Sequence, residues 1–361
     1  MCDLMKWQTL VLVLATAGFC LGFGADVGEQ SLREAAQVSG LLIGTAIRPA
    51  QLSEAAYAST LAREFNMLEP EDALKWEVVH PERQAFDFSQ ADQIVDFATR
   101  HGMKVRGHTL VWHQQNPKWL TEGKYTSDEL AQILEQHIKT VVGHYRGKIF
   151  AWDVVNEAFD ELYPGILRST LWRDQPGIGL AGNGSSYIER CFRWAHEADP
   201  QALLFYNEAE AEIMNPKADA IYAMVRDFRQ RGVPIDGVGF QMHIANLHAD
   251  VASISSNIKR FAALGVQVHI TEMDVALPVD ANGNARPENL QRQADIYRQI
   301  ATACVSHPGC TAIQTWGFTD KYSWIGSHSK KTQGAALPFD RNYRAKPAYQ
   351  ALRSALAWGR R

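Results

Sequence analysis

Eight short apolar runs recur along the chain, and each is followed by polar residues and then by a stretch with helical periodicity. Stretches such as SDELAQILEQHIKTVVGHY carry apolar residues three and four positions apart, and several of them end in glycine. Parallel strands need crossover helices, and eight such strands close a sheet into a ring. The pattern therefore predicts an α/β fold with a single (β/α)8 TIM barrel. The runs are LLIGTAI (41–47), FNMLEP (65–70), KVRGHTLVW (104–112), FAWDVVNE (150–157), ALLFYNE (202–208), GVGFQMHI (237–244), QVHITEMD (267–274) and AIQTWGFTD (312–320).

Composition agrees with one large globular domain. Of 361 residues, 46% are hydrophobic and 21% are charged, which excludes a disordered or fibrous chain. No linker, charge block or low-complexity run interrupts residues 26–361, so we expect this range to be one catalytic domain built on the barrel. The 36 Lys and Arg against 40 Asp and Glu give a net charge of −4, so nucleic acid is not an expected partner.

The N-terminus resembles a secretory signal peptide. An apolar run from Leu10 to Leu21 follows the positive charge of Lys6, and the small residues Gly24 and Ala25 come next. A transmembrane anchor is the alternative, but the run is shorter than the ~20 residues that a span needs. We therefore expect residues 1–25 to be removed and the mature chain to be secreted, with no membrane association.

Removal of that segment leaves three cysteines. Cys304 and Cys310 bracket the short loop CVSHPGC, a spacing that permits a small disulfide in an oxidising compartment. Cys191 lies at helical spacing with apolar neighbours, which is typical of a buried free thiol. Since no Cys and His pair has metal-site spacing, we expect no structural metal.

Charged and polar residues, histidines and tryptophans follow seven of the eight predicted strands. Barrel enzymes build their active sites at the C-terminal ends of the strands, so this distribution indicates an active-site rim. The residues, in chain order, are Glu71, Asp72, Lys75, His108, Trp112, His113, Gln115, Asn156, Glu157, Asn207, Glu208, Gln241, His243, Glu272, Asp274, Trp316, Asp320 and Trp324.

Two carboxylates stand out in this set. A single glutamate at a strand end usually makes a salt bridge or caps a helix. Glu157 and Glu272, however, follow strands four and seven, which face each other across the mouth of an eight-stranded barrel, and Asn156 and His243 flank them. Two facing carboxyl groups are the machinery that cleaves a glycosidic bond.

Several motifs resemble glycoside hydrolase family ten, the retaining endo-β-1,4-xylanases. The resemblance runs from about Leu41 to Tyr349 and keeps the family's motif order. The segments that carry it are FNMLEPEDALKWEVVHPERQAFDF, VRGHTLVWHQQNPKWL, WDVVNEA, GVGFQMHI, VHITEMDV and WGFTDKYSWI.

The resemblance implies a role for each matched residue. Glu157 aligns with the general acid/base and Glu272 with the nucleophile of a double displacement. Asn156 aligns with the residue that binds the sugar 2-hydroxyl, and His243 backed by Asp274 aligns with the pair that orients the nucleophile. Other substrate-binding positions implied in this way are Glu71, Asp72, Lys75, His108, Trp112, Gln115, Gln241, His243 and the two aromatic walls Trp316 and Trp324.

The implied enzyme acts on xylan and xylo-oligosaccharides as a monomer without a cofactor. Two positions depart from the family pattern. Asp72 stands where the family usually has Asn, and Ala209 follows Asn207-Glu208 where the family usually has an aromatic residue. These departures affect sugar binding at the two ends of the cleft rather than the chemistry.

Three competing hypotheses remain. A related barrel glycosidase would act on β-1,4-glucan, a choice that depends on the room around Lys75, Trp316 and Trp324. A non-catalytic sugar-binding barrel would have lost one of the two carboxylates. A metal hydrolase would use His108 and His113, but no matching ligands at metal-site spacing complete such a set.

Overall fold

The structure is a computed structural model that describes residues 30–180 and 183–359. The predicted signal peptide, residues 1–25, lies outside the described residues.

Within the described residues, eight parallel strands form one closed ring. Each strand pairs with its neighbours in chain order, and the eighth pairs with both the seventh and the first. The predicted barrel is therefore confirmed. The strands are β1 Leu42–Ile47, β2 Met67–Pro70, β3 Lys104–Gly107, β4 Ala151–Asn156, β5 Leu203–Glu208, β6 Gly237–Phe240, β7 Gln267–Val275 and β8 Cys310–Thr315.

One helix precedes the barrel and one long helix follows each strand. These are α1 Leu32–Ser39, α2 Ala55–Glu64, α3 Ser89–Arg100, α4 Ser127–His144, α5 Ser186–Ala198, α6 Pro216–Gln230, α7 Val251–Ala262, α8 Pro287–Val305 and α9 Pro347–Ala357. Shorter elements are the 3-10 helix Pro49–Ser53, the helices Trp76–Val79, Lys118–Thr121 and Ile325–His328, and the strands His243–Ile244, Leu277–Pro278 and Gln333–Gly334.

Local sequence explains where these elements begin and what they bury. Thr126 caps α4 through a reciprocal pair of hydrogen bonds with Glu129, which satisfies backbone N–H groups at the helix start. All six residues of β4 are buried. Strands of a parallel barrel are covered on both faces, and for this reason they read as nearly continuous apolar runs.

Three predicted strands leave the barrel ladder before the apolar pattern ends. The run 104–112 leaves the ladder after Gly107, where a Cβ atom would lie 2.3 Å from the Trp152 ring. The run 237–244 breaks after Phe240, and Met242 adopts a positive φ of 67°. The run 312–320 leaves the ladder after Thr315. The predicted ends of the runs 104–112 and 312–320 were wrong because residues beyond the ladder, such as Val111 and Phe318, are buried in the barrel mouth and are therefore apolar. In the run 237–244 the ladder is only interrupted, since His243–Ile244 pairs with the end of β7.

The cysteines behave as expected. Cys304 at the end of α8 and Cys310 at the start of β8 form a disulfide, and Cys191 is a buried free thiol. No helix in residues 30–180 and 183–359 is long and apolar enough to cross a membrane.

Candidate active site

The two predicted catalytic carboxylates lie at the mouth of the barrel, at the ends of β4 and β7. Glu157 directly follows β4 and has a positive φ of 53°, so its backbone turns sharply out of the strand. Glu272 lies within β7 and its side chain is only 6% exposed. Both carboxylates therefore sit where barrel enzymes hold their reacting groups.

Glu272 is held by hydrogen bonds on both of its oxygens. Asn207 Nδ2 donates to Oε1 over 2.7 Å, and His243 Nε2 lies 3.2 Å from Oε2. Asn207 comes from the end of β5, and its Oδ1 accepts from the Thr271 hydroxyl over 2.7 Å. These bonds fix the orientation of the carboxylate.

His243 bridges two carboxylates. Its Nδ1 lies 3.0 Å from Asp274 Oδ2, opposite the contact with Glu272. Burial by itself lowers the pKa of His243, but the two carboxylates more than offset this and raise the pKa well above its usual value. The two ring nitrogens of His243 therefore each face one carboxylate. Trp324 Nε1 donates to the same Asp274 oxygen over 2.8 Å, which ties one aromatic wall to this group.

Glu157 is also bound through both oxygens. Trp112 Nε1 donates to Oε2 and Gln241 Nε2 donates to Oε1, each over 2.8 Å. Trp112 belongs to the segment after β3, and Gln241 belongs to the irregular segment after β6. The irregular segments that follow β3 and β6 therefore supply the two side chains that hold this carboxylate.

A chain of amides connects the two carboxylates. Asn207 Nδ2, which binds Glu272, also donates to Asn156 Oδ1 over 2.8 Å. The Gln241 Nε2 group, which binds Glu157, lies 3.4 Å from the same Asn156 oxygen. Glu157 and Glu272 are thus two ends of one hydrogen-bonded group.

A charged cluster lies at the end of β2. Arg48, which follows β1, contacts Glu71 over 2.7 Å and Asp72 over 2.9 Å, and Lys75 lies 3.3 Å from the other Asp72 oxygen. Burial raises the pKa of Glu71, and Arg48 opposes this rise. The unusual Asp72 is therefore paired with two cations.

Lys75 lies between two predicted aromatic contacts. Its Nζ is 4.9 Å from the centroid of the Trp112 ring and 5.8 Å from that of Trp316. Trp316 also meets the His108 ring edge to face at 5.3 Å. Predicted sugar-binding residues from strands two, three and eight are therefore brought together.

Beneath this surface, a buried polar cluster fills the barrel. Arg106 donates to Asp153, contacts Glu69 Oε2 at 3.2 Å and contacts His269 Nδ1 at 2.8 Å. His108 Nδ1 lies 3.0 Å from Asp153 Oδ2. Burial lowers the pKa of His108, but Asp153 and Glu69 reverse this and raise it above its usual value.

This cluster contains the residues that most nearly fit a metal ion. Among the described residues, ligand atoms of Glu69, His108 and Asp153 lie within 4.8 Å of one another. The Arg106 guanidinium already contacts both of the carboxylates, so its charge opposes a second cation there.

The loop that carries Trp324 is tied to the start of α2. Lys321 Nζ donates to Glu54 Oε1 over 2.7 Å, and the Tyr322 hydroxyl donates to Oε2 over 2.6 Å.

Gln115 is a predicted substrate-binding residue. Its side chain donates to Glu77 over 2.9 Å, and Glu77 is not one of the predicted site residues.

Three residues with clear contacts were not assigned a role from the sequence. Asn207 stood among the strand-end residues, but nothing in the pattern linked it to Glu272. Arg48 follows β1, the one strand whose end gave no signal. Glu208 is buried beside Lys217 at 3.0 Å, and burial, which Lys217 opposes, raises the pKa of Glu208 to about 7.

Comparisons with known proteins agree with this geometry. The family described as glycosyl hydrolase family 10 matches residues 31–355. An endo-1,4-beta-xylanase B from Thermotoga neapolitana is 46% identical over 297 residues, which are 82% of this chain and 82% of that protein. A beta-1,4-xylanase from Dictyoglomus thermophilum is 40% identical over 356 residues, covering 95% of this chain and 97% of that protein. The crystal structure of xylanase 10B from Thermotoga petrophila RKU-1 in complex with xylobiose superposes with a TM-score of 0.85 at 42% identity, covering 91% of this chain and 97% of that one.

Proposed function

The chain belongs to glycosyl hydrolase family 10, and from this premise we propose that it is a secreted endo-1,4-β-xylanase that cleaves internal bonds of xylan with retention of anomeric configuration. Glu157 acts as the general acid/base and Glu272 as the nucleophile. The observation that carries the proposal is the hydrogen-bonded group that joins these two carboxylates through Asn207, Asn156 and Gln241.

The reaction follows from the roles of the two carboxylates. A Glu272 oxygen attacks the anomeric carbon while the bond to the leaving oxygen breaks, and Glu157 donates its proton to that oxygen. Water then attacks the glycosyl-enzyme as Glu157 takes up a proton, and the ester bond to Glu272 breaks. Glu157 can serve as the base in this second step because it gave up its proton in the first.

The surrounding residues support binding of a flat, hydroxylated sugar. Trp316 and Trp324 offer ring faces to the polarised C–H groups of a pyranose, while charged groups along the edge reach its hydroxyls. The polar residues proposed to bind the substrate are Glu71, Asp72, Lys75, His108, Gln115, Asn156, Gln241 and His243, with Trp112 beside them.

The first test is proton NMR of xylohexaose during early hydrolysis. We expect the new reducing ends to appear first as the β-anomer and the cuts to be internal. An initial α-anomer would contradict the role of Glu272 as nucleophile. Cleavage of cello-oligosaccharides instead would move the assignment to β-1,4-glucan, and release of xylose alone from chain ends would contradict the endo mode.

The second test separates the two carboxylates. Glu157→Ala is expected to lose about 10²- to 10⁴-fold in xylan hydrolysis, the range typical of general acid–base catalysis. On 2,4-dinitrophenyl β-xylobioside, whose leaving group departs without a proton, added azide needs no general base and should restore turnover and give β-xylobiosyl azide. Glu161→Gln, a change at an exposed carboxylate nearby, is the matched control and should keep full activity.

Export is a separate part of the proposal. Residues 1–25 are proposed to direct secretion, and the secreted chain to act as a monomer. N-terminal sequencing of protein from the medium of a secreting host should find a start near Asp26, and light scattering should give the mass of one chain. Retention of the intact leader in the membrane fraction would contradict the export proposal.

A further inference from the structure

The backbone that follows Glu157 is held by β5 through three consecutive N–H groups. Glu157 N donates to the Asn207 carbonyl over 3.0 Å. Ala158 N donates to the Tyr206 hydroxyl over 3.0 Å, and Phe159 N donates to Glu208 Oε2 over 3.2 Å. The last two of these acceptors are side chains, so the sequence of β5 decides whether they exist.

Tyr206 and Glu208 act as one unit. The Tyr206 hydroxyl donates to Glu208 Oε2 over 2.5 Å while it accepts from Ala158 N. Lys217, at the start of α6, lies 3.0 Å from Glu208 Oε1. Both Tyr206 and Glu208 are fully buried, and the Lys217 side chain is 3% exposed. A buried carboxylate needs such a countercharge, and its bonds to backbone N–H groups are stronger than those of a neutral acceptor.

The conformation of Glu157 explains why such bonds are needed. Its φ of 53° lies in the left-handed region, where the Cβ atom crowds the backbone and which residues other than glycine rarely adopt. A strained residue persists only where its surroundings hold it in place. Without the bonds to Ala158 and Phe159, the backbone would relax and move the Glu157 carboxyl away from Trp112 and Gln241.

We propose that Glu208, acting through Tyr206 and supported by Lys217, is a positioning residue for the general acid/base Glu157. The inference rests on the proposed function, because it assumes that Glu157 protonates the leaving group. Glu208 itself does not touch the substrate. Its effect is to keep the acid within reach of the leaving oxygen, so its loss should weaken acid catalysis and leave nucleophilic attack by Glu272 intact.

The test compares two substrates that differ in their need for acid catalysis. Phenyl β-xylobioside has a poor leaving group, phenolate, which needs a proton to depart. The 2,4-dinitrophenolate of 2,4-dinitrophenyl β-xylobioside departs without one. For Glu208→Gln we expect kcat/KM to fall about tenfold or more on the phenyl substrate and less than about threefold on the dinitrophenyl substrate. Tyr206→Phe removes only the hydroxyl, and it should change the ratio in the same direction even if the Glu208 variant folds poorly.

The matched control is Glu64→Gln. Glu64 is also a buried carboxylate that accepts from a backbone N–H, that of Leu32 at 3.0 Å, and from a tyrosine hydroxyl, that of Tyr349 at 3.0 Å. It lies on α2, away from the carboxylates of the site, so its loss reports a general loss of stability. We expect Glu64→Gln to lower the melting temperature and to leave the ratio of the two kcat/KM values unchanged.

The outcomes separate this inference from the proposed function. Equal losses on both substrates in the Glu208 and Tyr206 variants, with an active wild-type enzyme, would overturn the positioning role alone. A wild-type enzyme that releases neither phenol nor 2,4-dinitrophenol from these substrates would overturn the proposed function and this inference with it. A ratio that changes only in the Glu208 and Tyr206 variants supports the inference.

Discussion

At the scale of single residues, Asp72 places a charged carboxylate where the family usually has a neutral amide, and nearby cations pair with that charge. The resemblance implies asparagine at this position, and the structure supplies Arg48 and Lys75 as countercharges. Arg48 also contacts Glu71, so one guanidinium neutralises two neighbouring carboxylates. The ionisation of Glu71 therefore depends on both Arg48 and Asp72.

This arrangement predicts opposite effects of two substitutions on Glu71. Burial is the largest cause that raises the pKa of Glu71; Arg48 lowers it and Asp72 raises it. Asp72→Asn should therefore lower the pKa of Glu71, and Arg48→Gln should raise it. A carbon-13 NMR titration of the Glu71 carboxyl measures both shifts, and shifts of the same sign in the two variants would contradict the assignment.

A second prediction concerns Glu69 in the barrel interior. Burial raises its pKa from an ordinary value of 4.5 to about 8. Between these two values the folded chain holds a proton that the unfolded chain has lost, so the contribution of Glu69 to the free energy of unfolding decreases as pH rises. The lost stability is on the order of a few kcal/mol.

Glu69→Gln removes this titration and should flatten the dependence of stability on pH. Chemical denaturation at pH 5 and pH 8 should show a smaller decrease for the variant than for the wild type. Glu161→Gln, at an exposed carboxylate, is the control and should follow the wild-type curve. Parallel curves for the Glu69 variant and the wild type would show that Glu69 is already ionised at pH 5.

At the scale of strands and helices, the apolar pattern located every barrel strand but not every strand end. Residues 108–111 are buried although they lie beyond β3, and hydrophobicity reports burial rather than membership of the ladder. The two carboxylates proposed to be catalytic could be picked out because they occupy strand ends. The contact of Asn207 with Glu272 was not, since it joins residues 65 positions apart and depends on register and side-chain rotamers.

The disulfide gives a prediction at this scale. Cys304 and Cys310 close a loop with a sequence separation of only 6, so the bond should stabilise the fold by about 2 kcal/mol through loop entropy. A Cys304→Ala/Cys310→Ala double variant should lose this amount on thermal or chemical unfolding. Activity at 25 °C should persist, because the bond lies at the start of β8 and the site lies at the opposite ends of the strands.

Cys191→Ala is the matched control for the lost sulfur atoms. Cys191 is equally buried but closes no loop. The double variant should therefore lose more than twice the stability that the control loses. A loss that merely doubles the control would mean that packing, and not the cross-link, accounts for the effect.

At the scale of the whole molecule, α9 covers the place where the barrel closes. The helix packs against α1 and α8, and it buries Tyr349, Leu352 and Leu356 almost completely. Burial of each such side chain contributes about 1.5–3 kcal/mol, so together they approach the net stability of a typical protein, about 5–15 kcal/mol.

Deletion of residues 347–361 should therefore prevent folding rather than trim the surface. We expect the shortened chain to be insoluble, or to lack the near-ultraviolet circular dichroism of packed aromatic residues. Deletion of residues 359–361 alone is the control and should leave folding and activity unchanged. A soluble, active chain without α9 would show that the contacts of α1 and α8 close the barrel by themselves.

The pairing of β1 with β8 also bears on how the gene for such a protein can be arranged. The hydrogen-bonded ring has no first strand, and α1 lies against α9, so the ends of the described chain meet at one side of the ring. The order in which the chain visits the strands could therefore start at a different strand without a change in how the strands pack. A circular permutant that joins these two helices and opens the exposed turn at Asn282 would keep every strand pair and both carboxylates in register.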